Sequence, residues 1–211
     1  TLTTTQAVAI TVTNVNEAPA FTSGATATVS ENVSTSTAVY TAVATDVDAG
    51  TTLTYTLSGA DAALFDIDSA TGVVTFKASP NYESPSDSGA DNVYNVTVGA
   101  SDGTNTTTQA VAITVTNANE APTFTSGATA TVAENISTST AVYTAVATDV
   151  DAGTTITYSL SGADAALFNI DSTTGVVTFK ASPNYESPTD VGGNNVYDIS
   201  VSASDGTLTT T

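Results

Sequence analysis

Apolar and polar residues alternate with period two over much of the chain, in short runs separated by Gly, Asp, Ser and Pro. The runs at 25–29 (ATATV), 38–45 (AVYTAVAT), 53–58 (LTYTLS), 72–78 (GVVTFKA), 92–100 (NVYNVTVGA) and 109–116 (QAVAITVT) are rich in Val, Thr, Tyr and Ile. Such residues suit a pleated, half-buried surface. A short run around Leu64–Ile67 makes seven. Tyr94, Val96 and Val98 share one face, opposite Val93, Asn95 and Thr97; Leu53, Tyr55 and Leu57 also fall together. No stretch has a helical period, although GADAALF (59–65) has room for a single turn. DSATG (68–72) reads as a turn in which Asp68 accepts backbone N–H groups and Gly72 takes positive φ. Seven short strands in about 100 residues predict an all-β, Greek-key sandwich.

The pattern occurs twice. NEAP stands at 16–19 and again at 119–122, an offset of 103 residues that also links Glu31 to Glu134, Asp46 to Asp149, Glu83 to Glu186 and Asp102 to Asp205. Residues 18–108 and 121–211 differ at 16 of 91 positions, with no insertion. A period this long is one independent domain rather than a turn of a short-repeat solenoid. The expected organisation is therefore the last strand and linker of a preceding repeat (1–17), a first repeat with its linker (18–120), and a second repeat lacking its last strand (121–211). Either residues beyond 211 fill that gap in a longer chain, or residues 1–13 of one copy insert head-to-tail into the second repeat of the next. The third expectation is an open edge with a free 1–13 tail.

Composition narrows the function. There are 21 acidic residues, no Arg or His, and two cations, Lys77 and Lys180, for a net charge of −19. Such a chain repels nucleic acid and anionic lipid. No 18-residue apolar run is present, so no membrane span is expected. Without Cys there is no disulfide, zinc-thiolate site or thiol nucleophile. Without His the commonest general base is missing, and the abundant Ser and Thr have no partner to activate them. The chain does not read as an enzyme. Lys77 and Lys180, in TFKAS runs, read as edge-facing cations. Thr-rich stretches such as TATV and TLTTT read as exposed strand faces, with an ice- or sugar-binding face as the alternative.

Twelve of the acids fall at a few repeated places. Glu31 (SENV) and Asn81 with Glu83 (NYES) belong at one end of a repeat. Asp46 and Asp48 (DVDAG) and Asp102 (ASD) belong at the other. Asn14, Asn16 and Glu17 precede the first repeat; Asn117, Asn119 and Glu120 precede the second. The second repeat has Glu134, Asn184 and Glu186, and Asp149, Asp151 and Asp205. These are hard oxygen ligands in number, with no nitrogen or sulfur alternative, and they favour calcium over magnesium. The alternative is an acidic, solubilising coat.

In order along the first repeat, SEN, DVDAG, FDIDSATGVV, PNYE and ASD, with VTNVNEAP before it and VTNANEAP after it, resemble the motifs of cadherin-like repeats, most closely those of giant bacterial surface adhesins, and the second repeat carries the same series with AEN and FNIDSTTGVV. The resemblance covers essentially the whole chain. It implies calcium at the junction, held by Glu31, Asn81 and Glu83 from repeat one, Asn117, Asn119 and Glu120 from the linker, and Asp149, Asp151 and Asp205 from repeat two. Amides replace family carboxylates at Asn81 and Asn117, Thr follows DVDAG where Asn is expected, and the linker is one residue short. These departures imply weaker or fewer ions. The implied role is a calcium-rigidified extender of an extracellular bacterial adhesin, meeting adjacent repeats or identical chains head-to-tail, with any glycan or cell-surface partner bound elsewhere in the protein. A filament or sheath subunit of the same fold is the alternative, and a carbohydrate-binding module a further one. Adhesion by strand exchange anchored on Trp is not implied, because Trp is absent.

Overall fold

The computed structural model describes residues 2–211. They form two compact units, one ending at Ala118 and the other spanning Asn119–Thr211.

The first unit contains β1 (Ala20–Phe21), β2 (Thr26–Ser30), β3 (Tyr40–Thr41), β4 (Ala44–Thr45), β5 (Thr54–Ser58), β6 (Phe65–Ile67), β7 (Val73–Phe76), β8 (Val93–Ser101) and β9 (Thr106–Thr116). One sheet has the order β2-β9-β8-β5, with β2 parallel to β9 and the other pairs antiparallel. A second has the order β3-β7-β6, and β1 pairs with β4. The alternation along β8 and β9 sends Tyr94, Val96, Val98, Val111, Ile113 and Val115 into the core, each 2% exposed or less. Phe65 and Phe76 from the second sheet meet Tyr94 from the first, with ring centroids 5.8 and 5.1 Å away and edges toward faces. This favoured aromatic geometry ties the two layers together.

Two details depart from the expected strands. The run 38–45 is split into β3 and β4, which belong to different sheets. At the break, the Ala42 N–H donates to Gly72 O, and Val43 O accepts from the N–H groups of Thr22 and Ser23. The region 59–65 holds a 3-10 turn at Ala62–Leu64, as its composition allowed. DSATG is a turn: Asp68 Oδ1 accepts the N–H groups of Ala70 and Thr71, each at 2.9 Å. Gly72 there has φ +72°, and a Cβ on it would lie 2.4 Å from Ala42 O. Lys77 donates to Ala63 O at 3.1 Å and lies 3.8 Å from Asp66, so it caps the 3-10 turn beside the edge strand β6.

The second unit repeats the plan with β10 (Thr123–Phe124), β11 (Tyr143–Thr144), β12 (Ala147–Thr148), β13 (Thr157–Ser161), β14 (Phe168–Ile170), β15 (Val176–Phe179), β16 (Ser200–Ser204) and β17 (Thr209–Thr210). Its sheets are β13-β16-β17, β11-β15-β14 and the pair β10-β12. β17 reaches only Ala203 and Ser204 of β16. Residues 128–133, the counterpart of β2 and its approach, form no strand. Phe168, Phe179 and Tyr197 reproduce the aromatic cluster, but the side toward 128–133 is an open groove of about 870 Å³. Residues 2–13 form no strand in the single chain and are exposed throughout; Thr1 lies outside the described residues. Among the described residues no helix is long and apolar enough to cross a membrane.

Candidate metal half-sites

Strand ends carry the acids. In the first unit, β4 runs into Asp46 and Asp48, and β8 into Asp102. The entering segment lies against them: Asn16 Nδ2 donates to Asp102 Oδ2 at 2.7 Å, Asn14 Nδ2 to Asp48 Oδ1, and the Glu17 N–H to Asp48 Oδ2 at 3.0 Å. The second unit repeats this. Asn119 Nδ2 donates to Asp205 Oδ2 at 2.6 Å, and the Glu120 N–H to Asp151 Oδ2 at 2.9 Å. Within each DVD run the first Asp turns the chain, Asp46 Oδ1 accepting the Asp48 N–H and Asp149 Oδ1 the Asp151 N–H.

The other oxygen of that Asp is the telling atom. Asp46 Oδ2 and Asp149 Oδ2 are both buried and both without a hydrogen-bond partner. A buried carboxylate oxygen with no partner is costly. The same strand end carries Asp48 with Asp102 in the first unit and Asp151 with Asp205 in the second, and no Arg or His exists in the chain to pair with them. The arrangement therefore fits a hard cation.

Backbone donors also favour the ionised form of the neighbouring acids. The N–H groups of Thr104 and Asn105, then the Asn16 amide, hold Asp102 below the ordinary value of 3.8. The Asn119 amide, then the N–H groups of Thr207 and Leu208, do the same for Asp205.

The opposite end of the first unit gathers Glu31, Asn81 and Glu83. Glu31 is 3% exposed at the end of β2. Its Oε2 accepts the Tyr82 N–H at 2.8 Å and its Oε1 the Ala118 N–H at 3.0 Å, which joins β2 to the loop after β7 and the segment after β9. Carboxylate oxygens of Glu31 and Glu83 lie within 4.8 Å of each other, and Asn81 Oδ1 accepts the Ser84 N–H. Asn117 follows β9 directly. In the second unit Glu134 keeps its bond from the Tyr185 N–H at 3.0 Å, and Asn184 Oδ1 accepts the Glu186 N–H. Glu134 itself is exposed there.

Two further acids per repeat shape the site without belonging to it. Asp61, 3% exposed, accepts the Ser88 N–H at 2.7 Å and the Asn95 N–H at 2.6 Å. Asp87, 6% exposed, accepts the N–H groups of Asn92 and Asp91. Burial pushes Asp87 up, but the Asp91 and Asn92 N–H groups outweigh it and leave the carboxyl below its ordinary value. Together they pin the loop that follows Asn81 and Glu83. Asp164 and Asp190 do the same in the second unit. The repeat comparison held a signal for them: Asp61, Asp68 and Asp87 stay Asp in the second copy, whereas the exposed Asp66 becomes Asn169.

The Cadherin domain family profile matches residues 25–116 and 128–211. Human protocadherin Fat 4 is 33% identical over 189 residues, a match covering 84% of this chain and 4% of that protein. Among solved structures, human protocadherin-24 EC1-2 (form II) superposes with a TM-score of 0.61 at 22% identity, covering 93% of this chain and 95% of that one. Drosophila N-cadherin EC1-4 gives a TM-score of 0.57 at 25% identity, covering 89% and 45%. Strand order, repeated motifs and profile agree, and the chain belongs to the cadherin domain family.

Proposed function

We propose that the chain is a pair of extender repeats from an extracellular surface adhesin, of the kind found in large bacterial adhesins, stiffened by calcium bound where one repeat meets the next. The observation that carries this reading is the buried, partnerless Oδ2 of Asp46 and Asp149 at strand ends that carry further carboxylates and amides. Cadherin domains are adhesion modules, not enzymes, so the acids have a binding role to fill. Calcium would supply positive charge to carboxylates that otherwise repel one another.

The residues that would hold it are Asp149, Asp151 and Asp205 with Asn119 and Glu120 on the second unit, and Glu31, Asn81, Glu83 and Asn117 on the first. Asn14, Asn16, Glu17, Asp46, Asp48 and Asp102 form the equivalent half-site ahead of the first unit, and Glu134, Asn184 and Glu186 that behind the second. The near-identity of the repeats favours a spacer.

Amides at Asn81 and Asn117, weaker ligands than carboxylates, favour an affinity in the extracellular range, about 10⁻⁴–10⁻³ M. At about 10 mM calcium, one such site adds roughly 1.4–2.7 kcal/mol to the folded state. Melting with added calcium, against magnesium at equal ionic strength, tests the reading. Wild type should gain stability through millimolar calcium, and Asp149→Ala should lose most of the gain. An equal gain from magnesium, or an unchanged gain in Asp149→Ala, would reduce the effect to charge screening.

A further inference from the structure

Asn81 and Glu83 flank Tyr82, whose backbone is held from both sides. The Tyr82 N–H donates to Glu31 Oε2 at 2.8 Å, and the Tyr82 carbonyl accepts from Asn92 Nδ2 at 2.9 Å. Asn92 is 9% exposed, and its own backbone is fixed in turn. Its N–H donates to Asp87 Oδ1 at 3.0 Å, and its carbonyl accepts the Val115 N–H of β9 at 2.9 Å. It sits at φ +63°, a left-handed conformation that Asn tolerates better than most residues with a β-carbon. The donor end of its amide meets Tyr82 O, and Oδ1 is left buried without a partner, a cost that an apolar filler would avoid. The second unit builds the same clamp. The Tyr185 N–H donates to Glu134 Oε2 and Asn195 Nδ2 to Tyr185 O, each at 3.0 Å, with Asn195 at φ +61°. Between the repeats the adjacent Asp91 becomes Asn194, while Asn92 remains Asn.

We propose that Asn92 is a positioning residue for calcium at the Glu31, Asn81 and Glu83 half-site, an inference that rests on the calcium reading above. Its amide acts through the Tyr82 peptide. Glu31, itself a proposed ligand, holds only the N–H side of Tyr82. Asn92 holds the carbonyl side, so the segment between Asn81 and Glu83 can neither rotate nor withdraw from Glu31. Carboxylate oxygens of Glu31 and Glu83 thereby stay within 4.8 Å of each other, although two negative groups at that range repel when no cation lies between them. Glycine at 92 keeps the backbone conformation and removes the clamp. The loop then carries Glu83 away from Glu31, and calcium binding includes the cost of ordering it again. Groups that orient metal ligands typically change affinity by about 10–100-fold. Aspartate at 92 adds a negative charge behind the half-site but sets an acceptor against Tyr82 O. Charge alone would tighten calcium binding there; loss of the clamp weakens it.

The test is a calcium titration of the 211-residue chain followed through backbone amide chemical shifts, with hydrogen exchange in chelator as the metal-free readout. In chelator the Tyr82 amide should exchange about tenfold faster in Asn92→Gly than in wild type. The calcium dissociation constant read at residues 81–84 should rise about tenfold or more in both Asn92→Gly and Asn92→Asp. The constant read at Gly103 and Thr104, beside Asp102, should stay unchanged. Asp61→Ala, which releases the Ser88 and Asn95 N–H groups instead, should leave both constants unchanged. Tighter binding in Asn92→Asp, unaltered affinity and exchange in Asn92→Gly, or equal weakening in Asp61→Ala would overturn the clamp and leave the calcium reading standing. A wild type without saturable shifts at 81–84 or at Gly103 would overturn the calcium reading, and this inference with it.

Discussion

Replacing Asp61 by alanine is expected to loosen the first unit without removing its response to calcium. The carboxylate is 3% exposed and accepts two backbone N–H groups, at 2.7 and 2.6 Å. Alanine would leave both N–H groups buried and unpaired, at about 1–3 kcal/mol each. Removing one negative charge from a chain of net charge −19 offsets part of this. The expected loss is about 3 kcal/mol, a large share of the roughly 5–15 kcal/mol typical of a domain. It corresponds to roughly 12–24 °C in Tm for a domain of about 100 residues. Asp61→Asn keeps one acceptor and should lie between. Native-state hydrogen exchange on peptides spanning β5 and β8 reads the first unit alone, and protection there should fall roughly a hundredfold. Added calcium should raise stability by the same increment in wild type and in Asp61→Ala, because Asp61 lies outside the half-sites. A loss under about 1 kcal/mol, or a variant blind to calcium, would refute the reasoning.

Gly72→Ala combines a left-handed φ of +72° with a Cβ 2.4 Å from Ala42 O and should cost about 2–5 kcal/mol in a urea titration. Gly103→Ala, at φ +94° with nothing within 4 Å, should cost only about 1–2 kcal/mol, and equal losses would contradict the steric argument. The N–H groups of Thr71 and Ala70 hold Asp68 below the ordinary value of 3.8. Its contribution is therefore present above that pH and lost as pH falls through the lower folded value. The stability gap between wild type and Asp68→Ala should narrow on acidification below 3.8, and a widening gap would contradict the assignment.

Much of this was legible because the fold is written in period two. Tyr94, Val96 and Val98 alternate strictly with Val93, Asn95 and Thr97, and one face of β8 is buried accordingly. The DSATG turn was equally clear, since Asp and Gly each have one physical role there. The grouping of the acids by strand end was also legible: Asp46, Asp48 and Asp102 follow β4 and β8, and Glu31 ends β2.

The break at Ala42 was not legible. AVYTAVAT reads as one continuous strand-forming run, and only the Gly72 carbonyl and the β1 segment, distant in sequence, divide it between two sheets. Asp61 and Asp87 look like ordinary loop acids. Their burial comes from N–H groups at Ser88, Asn95, Asp91 and Asn92, donors that carry no side-chain signature. Only their persistence across the two repeats hinted that they were structural.

Under the proposed function, calcium is expected to stiffen the pair of repeats into an extended form. Small-angle scattering of the chain, at a concentration where it is monodisperse, measures this directly with calcium and then with chelator. Strands of roughly 8–10 residues at about 3.3 Å per residue, plus the linker, advance each repeat by about 40 Å. The maximum dimension with calcium should therefore approach about 80 Å and shorten when calcium is removed. Equal maximum dimensions in the two conditions would contradict the account.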